Sequence, residues 1–257
     1  MGQQIYIYFI GTAGSGKSTL TNCFKQWMTS QGFTTTTVNL DPGAENLPYD
    51  PDVDIRDWIS LKAVMDDYGL GPNGAQIACA DMLALNTSDV KESIDSFKSD
   101  YVLMDTPGQL ELFVFREAGK YIIEFMNPKQ SMIAYLLDPG LARTASGFVS
   151  QLLLSISTSF RLNHPQVNIL SKSDLIPDGE RGLVKKWSDD IDELEAAIMS
   201  EDASIYREMS NGILNLLREF SGQIQMIQTG KENLLGIDNL YTLIQMQFHG
   251  GEDLTSD

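Results

Sequence analysis

The stretch GTAGSGKS, residues 11–18, matches the spacing GxxxxGK[ST], in which glycines let the backbone bend around a phosphate group. The residues before it, 5–10, are mostly β-branched or aromatic, which predicts a strand. The residues after it, 17–32, have apolar side chains at helical spacing and end at a glycine, which predicts a helix. Because the motif lies between a strand and a helix, we interpret it as a phosphate-binding P-loop and not as an ordinary glycine-rich turn.

The positions of this loop have distinct chemical tasks. Its backbone N–H groups point inward at phosphate oxygens, and the helix amino terminus adds a positive field. Lys17 reaches the β- and γ-phosphates, and the Ser18 hydroxyl is an oxygen ligand of the kind that Mg²⁺ prefers. The predicted nucleotide-binding residues of this segment are Gly14, Ser15, Gly16, Lys17, Ser18 and Thr19.

Strand-like and helical stretches alternate along the rest of the chain. Further strands are predicted at residues 34–40, 101–104, 132–137, 167–170 and 224–227, and further helices at 57–68, 144–160, 188–220 and 234–248. The stretch 42–54 contains three prolines and is predicted to be a loop. This order predicts an α/β fold of the P-loop NTPase kind, in which a parallel central sheet is flanked by helices. We expect one domain over residues 1–249, helical inserts at about 50–98 and 182–221, and a flexible tail over 250–257.

A second motif, DTPGQ at residues 105–109, directly follows the strand predicted at 101–104. At the carboxyl end of a strand, Asp105 is placed to hold Mg²⁺ through a water, and the Gly108 N–H to sense the γ-phosphate. Gln109 is a candidate to orient the attacking water, and Glu111 to hold it. Asp41 ends another strand at the same edge, where it can contact the water or the metal. The alternatives are an ordinary turn for Asp41 and a solvated loop end for Gln109 and Glu111.

These two motifs together predict a Mg²⁺ site. Mg²⁺ prefers oxygen ligands and commonly binds through one or two carboxylates together with substrate phosphates. The predicted metal ligands are Ser18, Asp41 and Asp105.

The segment SKSD, residues 171–174, is typical of loops that recognise guanine. The Asp174 carboxylate can accept hydrogen bonds from the guanine N1–H and exocyclic amine, whereas adenine would leave it unpaired. The aliphatic stem of Lys172 can lie over the base. Such loops usually begin with Asn, so the shorter Ser171 side chain predicts a weaker tie to the P-loop. After the last predicted strand, Thr229 and Gly230 form a turn whose N–H groups are candidates to bind the guanine carbonyl, although a simple strand-to-helix turn is an equal alternative.

The composition is strongly acidic. The chain has 18 Lys and Arg residues against 35 Asp and Glu, a net charge of -17. Such a surface repels nucleic-acid backbones and anionic membranes, so we expect neither as a partner. The two cysteines, Cys23 and Cys79, form no CxxC pair, which argues against a disulfide scaffold or a zinc site. No apolar run is long enough to span a bilayer, and we expect a cytoplasmic protein.

In this setting the chain resembles the GPN-loop GTPases. The tripeptide Gly-Pro-Asn at 71–73 is a trivial turn by itself. Here it occurs with GTAGSGKST, LDPGAENLPYD, DTPGQLELF and SKSDL, in the order in which that family has them. The resemblance extends over essentially the whole chain, and the chain looks like a short, archaeal-type member.

This resemblance implies properties that the residues alone do not give. It implies a homodimer in which the GPN loop of one subunit reaches the partner's site and brings Asn73 near the γ-phosphate and the catalytic water. It further implies a protein client related to RNA polymerase. The catalytic residues by motif match are Asp41, Asn73, Asp105, Gln109 and Glu111.

The function predicted is therefore a GTP-binding and GTP-hydrolysing switch that converts GTP and water to GDP and phosphate. One alternative is a kinase, which needs an arginine lid over the phosphates; by position near the motifs the candidates are Arg116, Arg143 and Arg161. Another is a non-enzymatic assembly factor that binds GTP and barely turns it over.

Overall fold

The computed structural model describes residues 4–201, 204–219 and 225–250 of the 257-residue chain. Its strands are β1 Ile5–Gly11, β2 Thr35–Asn39, β3 Val53–Asp54, β4 Tyr101–Asp105, β5 Ser131–Leu137, β6 Gln166–Leu170 and β7 Met226–Gln228. They form one sheet in the order β3-β2-β4-β1-β5-β6-β7, and each neighbouring pair is parallel. The predicted parallel α/β sheet is thus confirmed.

Helices cover both faces of this sheet. They are α1 Lys17–Ser30, α2 Leu61–Tyr68, α3 Pro72–Leu85, α4 Thr87–Asp95, α5 Leu110–Phe113, α6 Glu117–Met126, α7 Ala145–Leu162, α8 Asp178–Asp189, α9 Ile191–Ser200, α10 Ser204–Glu219 and α11 Ile237–His249. On one face, α1 and α11 pack over the sheet and bury Phe24, Met28 and Ile244. On the other face, α3, α6 and α7 bury Leu83, Ile122 and Phe148.

The central strands are buried along their whole length because both of their faces are covered. Every residue of β1, β4 and β5 is buried. In a parallel sheet of this kind the crossover helices hide both faces, so the alternation of polar and apolar residues is lost. The carboxyl ends of these strands meet at one edge of the sheet, where the predicted motifs follow β1, β2, β4, β6 and β7.

The structure corrects the expectation for the stretch 42–54 and the helix after it. Val53 and Asp54 are not loop: they pair with Val38 and Asn39 of β2 and add a seventh strand at the sheet edge. The helix expected from residue 57 starts at Leu61, because the Ser60 side chain accepts a hydrogen bond from the Ala63 N–H and caps α2. Between these elements the chain makes a single 3₁₀ turn, Ile55–Asp57.

The segment expected to form the second helical insert, 182–221, also differs in detail from the expectation. The helix expected over 188–220 is divided among the end of α8, α9 and α10, and Asp190 caps α9 through the Asp192 N–H. Residues 202, 203 and 220 of the predicted helix and residue 224 of the predicted strand lie outside the described residues, as does the tail over 251–257. In the described part of the chain, the helices lack the length and apolar character needed to cross a membrane.

Candidate nucleotide-binding site

The P-loop turns sharply because its glycines adopt conformations that other residues avoid. Gly14 and Gly16 have φ of 78° and 99°, in the left-handed region, and Gly16 caps the amino terminus of α1. A Cβ atom at Gly11 would lie 2.6 Å from the carbonyl oxygen of Leu136 in β5. Together these glycines turn the chain from β1 into α1 with the helix amino terminus facing the site, as the motif requires.

The Lys17 side chain folds back onto the P-loop backbone. Its Nζ donates to the carbonyl oxygens of Gly11 and Thr12, at 2.9 and 3.0 Å. Burial lowers the pKa of Lys17, while the charges of Asp105 and Asp41 act in the opposite direction. The ammonium group is therefore held by the P-loop backbone, close enough to Asp105 and Asp41 for their charges to act on it.

A cavity of about 290 Å³ opens between the P-loop and the ends of β2 and β4. It is lined by Gly14, Gly16, Lys17, Ser18, Thr19, Asp41, Ala44, Leu47, Asp105, Thr106, Gly108 and Lys172. The structure thus brings most of the predicted phosphate and metal residues to one place. Ser15 is buried beneath them, and its Oγ has no hydrogen-bond partner within the described residues.

Asp105 lies deep in this cavity. Burial raises the pKa of Asp105 to about 6, although Ser18, Tyr49 and Lys17 each lower it. The Tyr49 hydroxyl donates to Oδ2 at 2.9 Å, whereas Oδ1 is buried and has no hydrogen-bond partner in the described part of the chain. A buried carboxylate oxygen without a partner is costly, so this atom is suited to a ligand that brings positive charge.

Asp41 connects two segments that are far apart in sequence. Its Oδ1 accepts from the Gly43 N–H at 2.9 Å, and its Oδ2 accepts from the Gly108 N–H at 3.3 Å. The carboxylate therefore holds the loop after β4 against the loop after β2, at the edge of the phosphate cavity.

In the described part of the chain, the other candidate catalytic residues are outside the lining of the phosphate cavity. Gln109 donates from Nε2 to Oε1 of Gln76 in α3, at 2.9 Å. Glu111 is exposed in the first turn of α5, and Asn73 is exposed in the first turn of α3. Neither Glu111 nor Asn73 is among the described residues that line the phosphate cavity.

A second cavity of about 210 Å³ lies beside the P-loop, where β6 and β7 end. It is lined by Gly16, Thr19, Leu20, Cys23, Ser171, Lys172, Asp174, Leu175, Thr229, Gly230 and Lys231. Oδ2 of Asp174 accepts the backbone N–H groups of Lys231 and Glu232, at 3.1 and 3.2 Å. Its Oδ1 is buried and unpartnered among the described residues, so one acceptor atom is left for a ligand.

The tie between the SKSD segment and the P-loop, expected to be weak, is formed. The Ser171 hydroxyl donates to the carbonyl oxygen of Ser15 and also lies 3.3 Å from that of Leu137. Lys172 adds a second tie, from its Nζ to the carbonyl oxygen of Gly14 at 2.6 Å. A serine suffices because Ser171 is buried directly against the P-loop backbone, so the hydroxyl has only a short distance to reach.

Sequence reasoning missed two polar side chains of this region, Tyr49 and Gln76. Tyr49 follows the Asp41 loop, and no sequence motif connects it with Asp105, 56 residues later. Gln76 was part of a predicted insert with no assigned chemistry. The apolar lining of the second cavity, by Leu20, Cys23 and Leu175, was also missed, because helical spacing predicts only that such residues are buried somewhere.

A P-loop between β1 and α1, a DxxG segment after β4 and a parallel sheet flanked by helices define a P-loop nucleoside triphosphatase. A family model described as "Conserved hypothetical ATP binding protein" matches residues 9–250. The chain is 30% identical to the GPN-loop GTPase PAB0955 of Pyrococcus abyssi, over 97% of this chain and 99% of that protein. It is 32% identical to GPN-loop GTPase 3 of Kluyveromyces lactis, over 94% and 90%. The chain belongs to the GPN-loop GTPase family.

The fold agrees with this assignment. The crystal structure of PAB0955 from Pyrococcus abyssi, described as a GTPase in apo form, superposes with a TM-score of 0.85. The two chains are 29% identical there, over 95% of this chain and 98% of the other. The family resemblance and the fold predicted from the sequence are both confirmed.

Proposed function

We propose that this chain binds GTP together with Mg²⁺ and hydrolyses it to GDP and phosphate, acting as a molecular switch. The observation that carries the proposal is Asp174, whose carboxylate is fixed by two backbone N–H groups beside the P-loop, with Oδ1 unpartnered among the described residues. The GTPase names of the relatives agree with it.

Guanine fits this carboxylate better than adenine. Oδ2 of Asp174 already accepts two hydrogen bonds, so Oδ1 is left for the guanine N1–H and exocyclic amine. Adenine has no such donor pair and would leave Oδ1 buried without a partner, at a cost of about 1–3 kcal/mol. The matching family model is described as ATP binding, whereas the Asp174 carboxylate favours GTP in this chain.

The donor set of the phosphate cavity fits Mg²⁺. Ser18, Asp105 and Asp41 offer a hydroxyl and two carboxylates, and Oδ1 of Asp105 is buried without a partner in the described residues. When bound there with the nucleotide, Mg²⁺ neutralises charge that develops on the β- and γ-phosphate oxygens.

Four residues of the chain have separate roles in the proposed hydrolysis. Lys17 leaves the carbonyl groups of Gly11 and Thr12 and donates to the β- and γ-phosphates, where it offsets negative charge. The Gly108 N–H exchanges its bond to Asp41 for one to the γ-phosphate. The freed Asp41 oxygen and the Gln109 amide then hold the attacking water in line. Loss of the γ-phosphate returns Gly108 to Asp41, which supplies the switch.

A kinase is the weaker reading of this site. The three candidate lid arginines are each ion-paired: Arg116 with Asp81, Arg143 with Glu180 and Arg161 with Glu117. Within the described residues, the phosphate cavity is lined by Lys17 and Lys172 and by no arginine.

The proposal extends to partners through the family resemblance. A homodimer joined through the GPN loop would bring Asn73 to the partner's γ-phosphate, and a protein client related to RNA polymerase would respond to the switch. Asn73 is exposed, as a residue that serves a second subunit must be. The two cysteines are free and buried, which suits the reducing cytoplasm.

Substitution of Asp174 by Asn tests the proposed base preference. The Asn amide presents a donor to the donors of guanine, so we expect Asp174→Asn to weaken GTP binding by roughly 10- to 100-fold. Xanthosine triphosphate carries a C2 carbonyl in place of the amine and should become the better ligand. Fluorescence competition with Mg²⁺ present measures both affinities, with the exposed Asp178→Asn as control. Equal binding of GTP and ATP by the unchanged protein would refute the guanine assignment.

A further inference from the structure

The loop that carries Asp41 is held at its start by Asn39, the last residue of β2. Oδ1 of Asn39 accepts from the Asp41 N–H at 3.0 Å, and its Nδ2 donates to the Asp41 carbonyl oxygen at 3.2 Å. Both backbone polar groups of Asp41 are therefore fixed by one buried side chain. The same Nδ2 lies 2.9 Å from Oδ1 of Asp54, in the neighbouring strand β3.

Arg56 holds the other end of the same loop. Its Nη1 donates to the carbonyl oxygen of Ala44 at 2.9 Å. Its Nε lies 3.0 Å from both carboxylate oxygens of Asp54, and its Nη2 lies 2.5 Å from Oδ2. Burial works to raise the pKa of Asp54, but the hydrogen bonds from Arg56 and Asn39 lower it below its ordinary value. Arg56 and Asn39 thus meet on Asp54 and enclose the loop 41–44 from both ends.

This network lies behind the site and not in it. Arg56 is not among the described residues that line the phosphate cavity, whereas Asp41 and Ala44 are. The planar guanidinium bonds a carboxylate and a carbonyl at once through different nitrogens, a geometry that a lysine ammonium does not reproduce. The hydrogen bond from Arg56 to the Ala44 carbonyl oxygen connects Arg56 with the site through the loop 41–44.

We propose that Arg56 is a positioning residue that fixes the Asp41 carboxylate in place through Asp54, Asn39 and the Ala44 carbonyl. The inference rests on the proposed function for its effect on hydrolysis, because that is where Asp41 holds the water or the metal. Misplacement of a reacting group by about 1 Å can lower a rate by roughly 100-fold. Arg56→Lys is therefore expected to lower kcat by roughly 10- to 100-fold while KM changes by less than about 2-fold.

The structural part of the inference is tested on the nucleotide-free protein by hydrogen exchange. The Gly43 and Gly108 N–H groups both donate to Asp41, so Arg56→Lys should speed their exchange by about 10-fold or more while the strand β1 keeps its protection. Asp54→Asn keeps the shape of the side chain but weakens its hydrogen bonds to the Arg56 guanidinium. It should speed the exchange of the same two N–H groups by a smaller factor, and it serves as the second variant. Arg218→Lys is the matched control, because Arg218, like Arg56, bonds two different residues (here Asp192 and Glu195) and its side chain is 37% exposed against 35% for Arg56.

The functional part is tested by a double-mutant cycle of single-turnover phosphate release with Arg56→Lys, Asp41→Asn and both together. If Arg56 acts through Asp41, Arg56→Lys lowers the rate of the unchanged protein but alters that of Asp41→Asn by less than about 2-fold. Unchanged hydrogen exchange at Gly43 and Gly108 overturns the inference. So does an Arg56→Lys substitution that lowers the rate of the Asp41→Asn protein by the same factor as that of the unchanged protein. If the unchanged protein hydrolyses no GTP, the proposed function fails, and the exchange result alone decides whether Arg56 positions Asp41.

Discussion

The second cavity beside the P-loop, where the guanine base is proposed to bind (the base cavity), leaves no room for a side chain at Gly230. A Cβ atom there would lie 2.9 Å from both Cγ and Oδ1 of Asp174, so the carboxylate would have to move. Gly230 is not among the glycines with a positive φ, so alanine can adopt its backbone conformation. The substitution therefore acts through the contact of the new Cβ with Asp174. Gly230→Ala is expected to weaken GDP binding by about 10-fold and to reduce the difference in affinity between GDP and ADP. Calorimetry with both nucleotides measures this, and Gly179→Ala, whose Cβ would have no atom of the described residues within 4 Å, is the control.

Gln109 begins away from the place where it is proposed to act. Its amide is bonded to Gln76, so nucleotide binding has to release it before it can orient water. Gln109→Ala is expected to lower phosphate release by roughly 10- to 100-fold while GTP still binds with nearly unchanged affinity. Gln76→Ala removes the nucleotide-free partner alone and should leave turnover within a few-fold of normal. Unchanged turnover of Gln109→Ala in a phosphate-release assay would exclude Gln109 from the reaction.

Among the elements, those whose sequence signal spans several residues were predictable. The strand β1, the helix α1 and the loop between them follow from composition, spacing and glycines, and their expected bounds differ from the observed ones by at most two residues. β3 was missed because two residues cannot show a period; Val53 and Asp54 are a strand only because β2 lies beside them. The contact of Tyr49 with Asp105 and the shared Asp54 of Arg56 and Asn39 depend on which strands are neighbours, and local pattern carries no such information.

Asp52 joins three elements near the site and should make stability depend on pH. Burial works to raise the pKa of Asp52, but bonds from the Thr37 N–H and hydroxyl and from Lys25 lower it below its ordinary value. A lowered pKa in the folded state means that Asp52 stabilises the fold above the unfolded pKa of about 4 and loses that contribution as pH falls through the folded pKa. Asp52→Asn is expected to cost about 1 kcal/mol at pH 7 and less toward pH 3.

Urea unfolding at a series of pH values measures this difference. Asp50→Asn, on the exposed surface two residues earlier, should leave the free energy of unfolding nearly unchanged at every pH. A cost for Asp52→Asn that is the same at pH 7 and pH 3 would contradict the assignment of these hydrogen bonds to the charged carboxylate.

For the whole molecule, the central question is whether one chain holds a complete site. The phosphate and base cavities are both built within one chain, from the P-loop and the ends of the neighbouring strands. Asn73 differs: it is exposed in the first turn of α3, one turn before the Gln76 that reaches Gln109. This position allows Asn73 to serve either its own site or, as the family resemblance implies, that of a partner.

Mixing two inactive variants separates these possibilities. Lys17→Ala abolishes phosphate binding in its own chain, and Asn73→Ala removes the proposed trans contact. In a mixed dimer with Asn73 acting in trans, the Asn73→Ala subunit keeps an intact P-loop and receives Asn73 from its Lys17→Ala partner. If the chain forms the proposed homodimer, a one-to-one mixture gives mixed dimers in about half of the cases, each with one complete site, so activity should return to about one quarter of the normal value. If Asn73 acts within its own chain, neither subunit is complete, and the mixture hydrolyses GTP no faster than the average of the two variants.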